Sequence, residues 1–329
     1  MIRNSTSANA PRAPISGRAG AKLKSLTALA ADRLVASLAV AAFIALAMAV
    51  SAADTHVAAT GSGENKSAST PVTGKPGDLR SRIGAKDTRI GAYGGVTYTH
   101  PSDVAITKPG AIDIKVHDVP WIGMPFKSPI YYGIRVQRLS PLASFGTMVD
   151  FTHAKAIAPQ TSEVTMSGTR DGKPVPPKGT VDSMFRHLEF SHGHNMLTWN
   201  GLFRMPAFWS KVRPYVGAGA GITLPHTEIG FRDQNARTYE YQFAGLVGQV
   251  LGGLEINLGR TTVFVEYKFS YSPYEVPLSH EPRGFLLVTD VWRQFRAWAT
   301  GEQPPGGRLF TKLATQHALA GVLVNLPGK

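Results

Sequence analysis

The sequence predicts an all-β protein: an eight-stranded antiparallel up-and-down transmembrane β-barrel with long extracellular loops. Three observations lead to this prediction. Eight segments alternate apolar and polar residues over about 9 to 11 positions, the length of a barrel strand that crosses a membrane. The connections between these segments alternate between long and short. A leader of the secretory type precedes them.

Residues 1–53 are predicted to form a signal peptide with a long basic n-region. From Leu34 the chain reads LVASLAVAAFIALAMAVSAAD, an apolar run that ends in small residues, so cleavage is expected near Ala52 or Ala53. An uncleaved helical anchor is the alternative. Residues 54–87 contain almost no large apolar side chains and are predicted to be a flexible periplasmic linker. The barrel is then assigned to residues 88–329.

Composition favours a membrane barrel over a soluble enzyme. Charged residues make up 17% of the chain and glycine occupies 34 positions. The absence of cysteine excludes disulfides, thiolate metal sites and cysteine nucleophiles. The net charge of +13 is scattered instead of forming one basic run with interleaved aromatic residues. We therefore expect no nucleic-acid partner, and a surface that suits anionic lipopolysaccharide.

Each predicted strand places apolar side chains on one face and polar side chains on the other. The strands are Arg89–His100, Ile130–Arg138, Phe145–His153, Asn195–Arg204, Val212–Thr223, Tyr239–Leu258, Thr262–Tyr271 and Gln316–Leu326. A soluble lipocalin also alternates, but its apolar face points inward to a ligand pocket. Aromatic residues gather near the strand ends here, as they do in the interface girdles of membrane barrels.

The connections support the same topology. Long segments follow the first, third, fifth and seventh strands, whereas LSPLAS, MPAFWSK and GR are short. With both termini in the periplasm, all long loops emerge at the cell surface. The last one, Ser272–Thr315, contains VTDVWRQFRAW, which is predicted to be an amphipathic helix. The inward-facing charges have both signs and are expected to pair: Arg135, Asp150, Arg204, Arg213, Glu255, Glu266 and Lys268.

Histidines gather near the predicted outer rim. His192-Gly193-His194 is an H-x-H unit, which in an extended segment points both imidazoles to the same side and can chelate a first-row metal. His153 ends the third strand and Glu240 opens the sixth. Together His153, His192, His194 and Glu240 are the predicted catalytic residues, and the three histidines are the predicted ligands of a divalent metal ion, iron or another first-row metal. For each histidine taken singly, a solvated or stacking role is the alternative.

The common catalytic motifs are absent. The sequence has no G-x-S-x-G elbow, no H-E-x-x-H helix and no Gly-rich phosphate loop before a helix. Serine and histidine both occur in the loops, so a serine hydrolase remains an alternative at this point.

Several longer phrases resemble a known family. They are GAYGGVTYTHPSD (91–103), VHDVPWIGMPFKSPIYYGIR (116–135), FGTMVDFTHAKAIA (145–158), HGHNMLTWNGLFR (192–204), RPYVGAGAGITLPHTE (213–228), YEYQFAGLVGQVLGGLE (239–255) and VFVEYKF (263–269). These phrases are similar to rhizobial outer-membrane lipid A oxidases. The overall plan resembles the eight-stranded barrels of the outer-membrane protein A type, and the likeness spans residues 88–326.

The resemblance implies a function. It implies oxidation of the proximal glucosamine of lipid A to an aminogluconate at the outer leaflet, with molecular oxygen as co-substrate and hydrogen peroxide released. The implied partners are lipid A or lipopolysaccharide and outer-membrane lipids, and we expect a monomer in the outer membrane of a Gram-negative bacterium. The alternatives are a non-enzymatic structural or adhesive barrel, and a lipid A acyl hydrolase.

Overall fold

The computed structural model describes residues 87–139, 144–209, 211–279 and 288–326. The predicted signal peptide lies outside the described residues, as does the linker up to residue 86. The structure confirms an all-β antiparallel protein, but it contains 14 strands in one sheet where the sequence predicted eight. None of the helices in the described ranges is long and apolar enough to cross a membrane.

Two short helices accompany the strands. The strands are β1 (Asp87–Lys108), β2 (Ile112–Trp121), β3 (Tyr132–Leu139), β4 (Phe145–Ile157), β5 (Glu163–Arg170), β6 (Lys173–Pro174), β7 (Lys178–Thr180), β8 (Phe185–Arg204), β9 (Val212–Thr223), β10 (His226–Phe231), β11 (Thr238–Tyr241), β12 (Gly245–Asn257), β13 (Thr261–Pro277) and β14 (Arg308–Asn325). The helices are α1 (Val181–Met184) and α2 (Val288–Ala299).

Eight of the strands pair in succession, and all of these pairings are antiparallel. The order is β1, β3, β4, β8, β9, β12, β13 and β14. The last of these, β14, pairs in turn with β1 over most of its length, from Arg89 opposite Asn325 to Thr107 opposite Arg308. These eight strands correspond to the eight that the sequence predicted.

Alternation along the eight strands separates two faces. We call the exposed face outward and the buried face inward. The exposed apolar residues, which we call the apolar belt, include Ile90, Val96, Ile134, Val136, Val149, Leu197, Trp199, Leu246, Val250, Leu254, Val265, Val322 and Val324. One group of inward-facing charged residues, which we call the ionic interior, consists of Arg89, Arg135, Asp150, Glu255, Glu266 and Lys268, which are buried, and Arg204, which is half-buried. Alternate residues of a strand point to opposite faces, so the sequence pattern produces this separation directly.

The ionic interior is paired, as the sequence predicted. Arg135 donates to Asp150 and to Glu266, and Lys268 is ion-paired with Asp150. Glu255 accepts from both Arg89 and Arg204. Arg213, which was expected to be inside, is half-buried near the end of the sheet.

The predicted long loops are structured. Strands β2, β5, β6, β7, β10 and β11 and helices α1 and α2 all lie in the connections that follow β1, β4, β9 and β13. Because neighbouring strands run antiparallel, these four connections lie at the same end of the sheet. We call them, with the adjoining strand ends, the distal layer. Its buried apolar residues include Val104, Ile106, Ile114, Val116, Trp121, Phe185, Leu188, Phe190, Ile229, Phe231 and Tyr274.

One sequence prediction for this region differs from the structure, and another is confirmed. The predicted sixth strand, Tyr239–Leu258, is two strands, because Gln242 to Ala244 separate β11 from β12. β11 pairs with β10 and not with β9. The predicted helix in the last connection is confirmed as α2.

Candidate functional site

A bulge in β8 decides where the H-x-H histidines point. Gly193 has a φ of +145°, a conformation that side-chain-bearing residues rarely adopt, and the pairing of β4 with β8 shifts register between Ala154 and Ala156. His192 is exposed, whereas His194 is fully buried. The prediction that both imidazoles lie on the same side is therefore wrong, because the bulge breaks the alternation between them.

His153 follows Val149 on the outward side of β4 by alternation, but its side chain is covered by its neighbours and only 5% exposed. It is directly opposite Asn195 across the β4–β8 pair, and its Nδ1 lies 2.8 Å from the Asn195 side-chain oxygen. Its ring stacks on Tyr132 at 4.9 Å. The Nε2 of His153 is buried and has no hydrogen-bond partner within the described ranges.

His192 and His226 lie in contact with each other and with two tyrosines. Their rings lie 4.8 Å apart, and His226 contacts Tyr239 at 4.5 Å and Tyr241 at 4.7 Å. The Tyr241 hydroxyl donates to the His192 carbonyl at 3.3 Å. His226 is on β10 directly opposite Tyr241 on β11, so local strand pairing positions both rings.

The stacked pair of His153 and Tyr132 lies next to this second group of rings. His192 interacts electrostatically with both His153 and His226. Burial raises the pKa of Tyr241, and the nearby hydroxyls of Tyr132 and Tyr239 raise it further. We call this group the histidine–tyrosine surface; it consists of Tyr132, His153, His192, His226, Tyr239 and Tyr241. It unites two of the predicted residues, His153 and His192, with four others that were not assigned to the site.

Burial controls the charge of His226. Desolvation, together with the neighbouring His192 and Arg237, lowers the pKa of this imidazole to about 4. His226 is therefore neutral at neutral pH, with an Nδ1 that has no hydrogen-bond partner in the described part of the chain. A neutral imidazole can act as a base or as a metal ligand.

The other two predicted site residues lie elsewhere. The His194 ring is hydrogen-bonded to the Tyr274 hydroxyl among buried residues. Glu240 lies between Tyr239 and Tyr241 on β11, so it points away from the histidine–tyrosine surface, and it accepts from the Gln242 amide at 2.8 Å. Of the four predicted residues, the structure thus brings His153 and His192 to one surface and gives His194 and Glu240 other surroundings.

A different group of possible metal ligands is present. One ligand atom each from His187, Glu189 and Glu228 lies within 4.8 Å of the others, and this is the single such group of three in the described ranges. Glu189 and Glu228 are directly opposite each other in the β8–β10 pair. We call these residues the His–Glu cluster. The sequence did not predict β10, which brings Glu228 to His187 and Glu189.

The donor set of the His–Glu cluster suits a metal ion. One imidazole and two carboxylates are ligands for first-row divalent metals, and three protein ligands would leave positions open. Arg237 lies at the same place: it is ion-paired with Glu228 and lies 3.5 Å from the Nε2 of His187. Its guanidinium stacks on Tyr239 at 4.6 Å, so the His–Glu cluster adjoins the histidine–tyrosine surface.

Glu240 lines a cavity of about 540 Å³ next to α2. Its other lining residues include Gln242, Glu275, Trp298 and Arg308. Helix α2 is held over this region because Gln294 accepts from the Phe243 backbone amide at 2.7 Å and Phe295 and Trp298 pack edge-on against the Phe243 ring.

Comparisons with known proteins give little similarity. No family model matches the chain, and no curated protein matches it. Among solved structures, the chain is similar to the crystal structure of Neisserial surface protein A (NspA), with 11% identity and a TM-score of 0.33. That similarity covers 73% of this chain and 97% of the other. A similarity of this strength carries no conclusion about fold or function.

Proposed function

We propose that the chain is an integral outer-membrane protein of a Gram-negative bacterium, folded as a closed eight-stranded barrel, and that it oxidises lipid A at the histidine–tyrosine surface. The barrel part of the proposal is supported by the pairings, which begin and end at β1. A closed ring of strands leaves no unpaired edge, and a membrane requires this because its core offers no hydrogen-bond partners.

The apolar belt supports a membrane location. Val250 and Val265 are each about half exposed, at 51% and 52%, and similar residues follow the outward face of seven of the eight strands, whereas β9 exposes only the small Ala218 and Ala220 there. Exposed apolar patches of this extent are rare on soluble monomers. In a bilayer these side chains contact acyl chains, whereas the paired charges of the ionic interior stay away from lipid.

The position of the histidine–tyrosine surface supports a lipid substrate, and this observation carries the functional proposal. β4 and β8 belong to the apolar belt through Val149 and Leu197, and a few residues further along the same outward face come His153 and Asn195. Tyrosine favours the boundary between apolar and polar surroundings. A lipid whose acyl chains lie along the belt would therefore present its headgroup sugars to these side chains.

The reaction is the one that the sequence resemblance implies. Oxidation at C1 of the proximal glucosamine removes two electrons and two protons from the free anomeric position and forms a lactone. Molecular oxygen takes them up and becomes hydrogen peroxide. Water then opens the lactone to the aminogluconate, so the lipid gains one oxygen atom in total. A neutral His226 could accept the anomeric hydroxyl proton.

The His–Glu cluster is the group that would hold a metal. Iron or another first-row metal, when bound, would supply the electron transfer to oxygen that amino-acid side chains do not provide. The role of the protein residues would be to bind the metal through His187, Glu189 and Glu228 and to orient the sugar against the adjoining tyrosines. Binding would require Arg237 to move away from Glu228, with which it is paired.

Lipid A of defined phosphorylation provides a direct test. The purified full-length protein, supplemented with ferrous iron or manganese, would be incubated in air with monophosphoryl lipid A, whose C1 hydroxyl is free. Mass spectrometry should find a gain of one oxygen atom and an equal amount of hydrogen peroxide. Diphosphoryl lipid A should not react, because its C1 oxygen carries phosphate.

A variant in the proposed site and a control variant outside it show whether activity depends on the site. His226→Asn, which removes the proposed base, should abolish the gain of oxygen, whereas His117→Asn, which changes a histidine on β2 in contact with Ser167, should not. Loss of an acyl chain would instead favour a hydrolase. An unchanged lipid A would contradict the enzymatic proposal and favour a structural or adhesive barrel.

A further inference from the structure

The cavity beside α2 is built from buried polar residues. Glu240, Gln242 and Arg308 are each at most 5% exposed, yet all three line it. Its volume of about 540 Å³ is within the range of small-molecule sites, roughly 300 to 1,000 Å³. A space of this size with buried polar walls is suited to a ligand that makes several hydrogen bonds.

The pairing of the arginines in the walls argues against an anionic ligand. Arg308 is ion-paired with Glu275 and also donates to the Glu302 carbonyl. Arg293, the other cation of the lining, lies 3.2 Å from Asp290. With its cations already paired, the cavity has no free positive group to hold a phosphate or carboxylate.

Two buried atoms indicate what the ligand must offer. Within the described ranges, the Gln242 Oε1 and the Arg308 Nε have no hydrogen-bond partner. The first requires a donor and the second an acceptor, because buried polar groups are normally hydrogen-bonded. A hydroxyl group can do both.

Aromatic and apolar groups complete the cavity. Trp298 is half-buried and lies in the wall beside Phe243 and Pro277. Such a wall can pack against the C–H face of a sugar ring, while hydroxyl groups on the ring edge reach the polar residues. Free water could satisfy Gln242 and Arg308, but it would leave this apolar wall uncovered.

From these features we infer that the cavity between α2 and the end of β13 is a binding site for a neutral saccharide. Glu240, Gln242 and Arg308 bind its hydroxyl groups, and Trp298 packs against its ring. The site is separate from the histidine–tyrosine surface, because Glu240 points to the opposite face of β11 from Tyr239 and Tyr241. The inference therefore does not depend on the proposed oxidation of lipid A.

Saturation-transfer NMR on the full-length protein in detergent tests the inference. The probes are three neutral disaccharides, maltose, cellobiose and N,N′-diacetylchitobiose, with glucose 6-phosphate for comparison. We expect at least one disaccharide to receive saturation from the protein, and to bind more tightly than glucose 6-phosphate. Absence of transfer to all three disaccharides, or stronger binding of the phosphate, would overturn the inference.

Two variants and a matched control locate the binding. Gln242→Leu removes the amide at similar volume and should weaken binding by about tenfold, the effect of one lost hydrogen bond. Trp298→Ala should weaken it to a similar degree, whereas Trp292→Ala, which removes an exposed tryptophan from the same helix, should not. If Gln242→Leu fails to fold, the comparison of the two tryptophan variants still decides. Equal binding by Trp298→Ala and Trp292→Ala would overturn the inference.

Discussion

Arg135 and Glu266 form a two-pronged ion pair inside the sheet, with both side chains fully buried and nitrogen–oxygen distances of 2.8 and 2.9 Å. They belong to β3 and β13, which are not neighbours in the order of pairing. The contact therefore crosses the interior between strands that share no backbone hydrogen bonds. Asp150 also accepts from Arg135, so the guanidinium holds two carboxylates from two strands.

Removal of this arginine should destabilise the protein strongly. Arg135→Met leaves Glu266 and Asp150 buried with fewer partners, and loss of one member of a buried pair costs about 3 to 5 kcal/mol. The free energy of unfolding should fall by this amount when urea unfolding is followed by the shift in electrophoretic mobility. Arg138→Met, on the same strand but exposed, serves as the control and should change stability little. Equal midpoints for the two variants would contradict a paired interior.

The bulge in β8 should require glycine at position 193, so its replacement should destabilise the protein. In Gly193→Ala the new Cβ would lie 2.4 Å from the Asn195 amide nitrogen, and its positive φ is unfavourable, so we expect a loss of about 1 to 3 kcal/mol. Displacement of Asn195 should also change the environment of His153, visible in its ring NMR signals. Gly172→Ala has a positive φ but open space around it, and should cost less. A Gly193→Ala variant as stable as Gly172→Ala would contradict the strain at the bulge.

The pKa of His226 predicts a pH-dependent stability. Because the folded pKa is about 4 and the ordinary value about 6.5, the unfolded chain binds more protons between these two values. The free energy of unfolding should therefore be highest above about pH 6.5 and fall as the pH drops toward 4, and His226→Asn should reduce this slope.

The same imidazole can be titrated directly. NMR of ring-labelled histidine should find His226 titrating near pH 4. In His192→Ala its pKa should rise, because the neighbouring His192 ring lowers it in the wild type. Titration of wild-type His226 near 6.5, or no change in the variant, would contradict the packing of the two rings.

The sequence was sufficient to predict the eight strands that pair in succession. Their alternation of apolar and polar residues identifies each segment as a strand and also indicates which side chains point outward. Val265 is exposed and Glu266 buried for this reason. It was not sufficient for the distal layer. Strands such as β10 have both faces buried, as the burial of every residue in His226–Phe231 indicates, so they lack alternation. Their pairing depends on contacts between segments distant in sequence.

The candidate site was predictable in part. His153 and His192 were placed correctly near one rim, because each adjoins a predicted strand. Two local features prevented a complete prediction. The bulge at Gly193 sends His194 inward, and the interruption after Tyr241 sets the facing of Glu240. Glu228 was missed, and His226 was expected near the rim but not assigned to the site. Both reach the site through β10, whose residues do not alternate between exposed and buried.

The assignment of the apolar belt to lipid is the central claim, and spin-label accessibility tests it most directly. Because the chain contains no cysteine, single cysteines can be introduced at Val265 and Val322 in the belt and at exposed Thr169 on β5. In lipid vesicles, nitroxides at Val265 and Val322 should collide more often with oxygen than with a water-soluble nickel chelate, and the label at Thr169 should behave oppositely. Preferential collision of both belt labels with the nickel chelate would contradict the account.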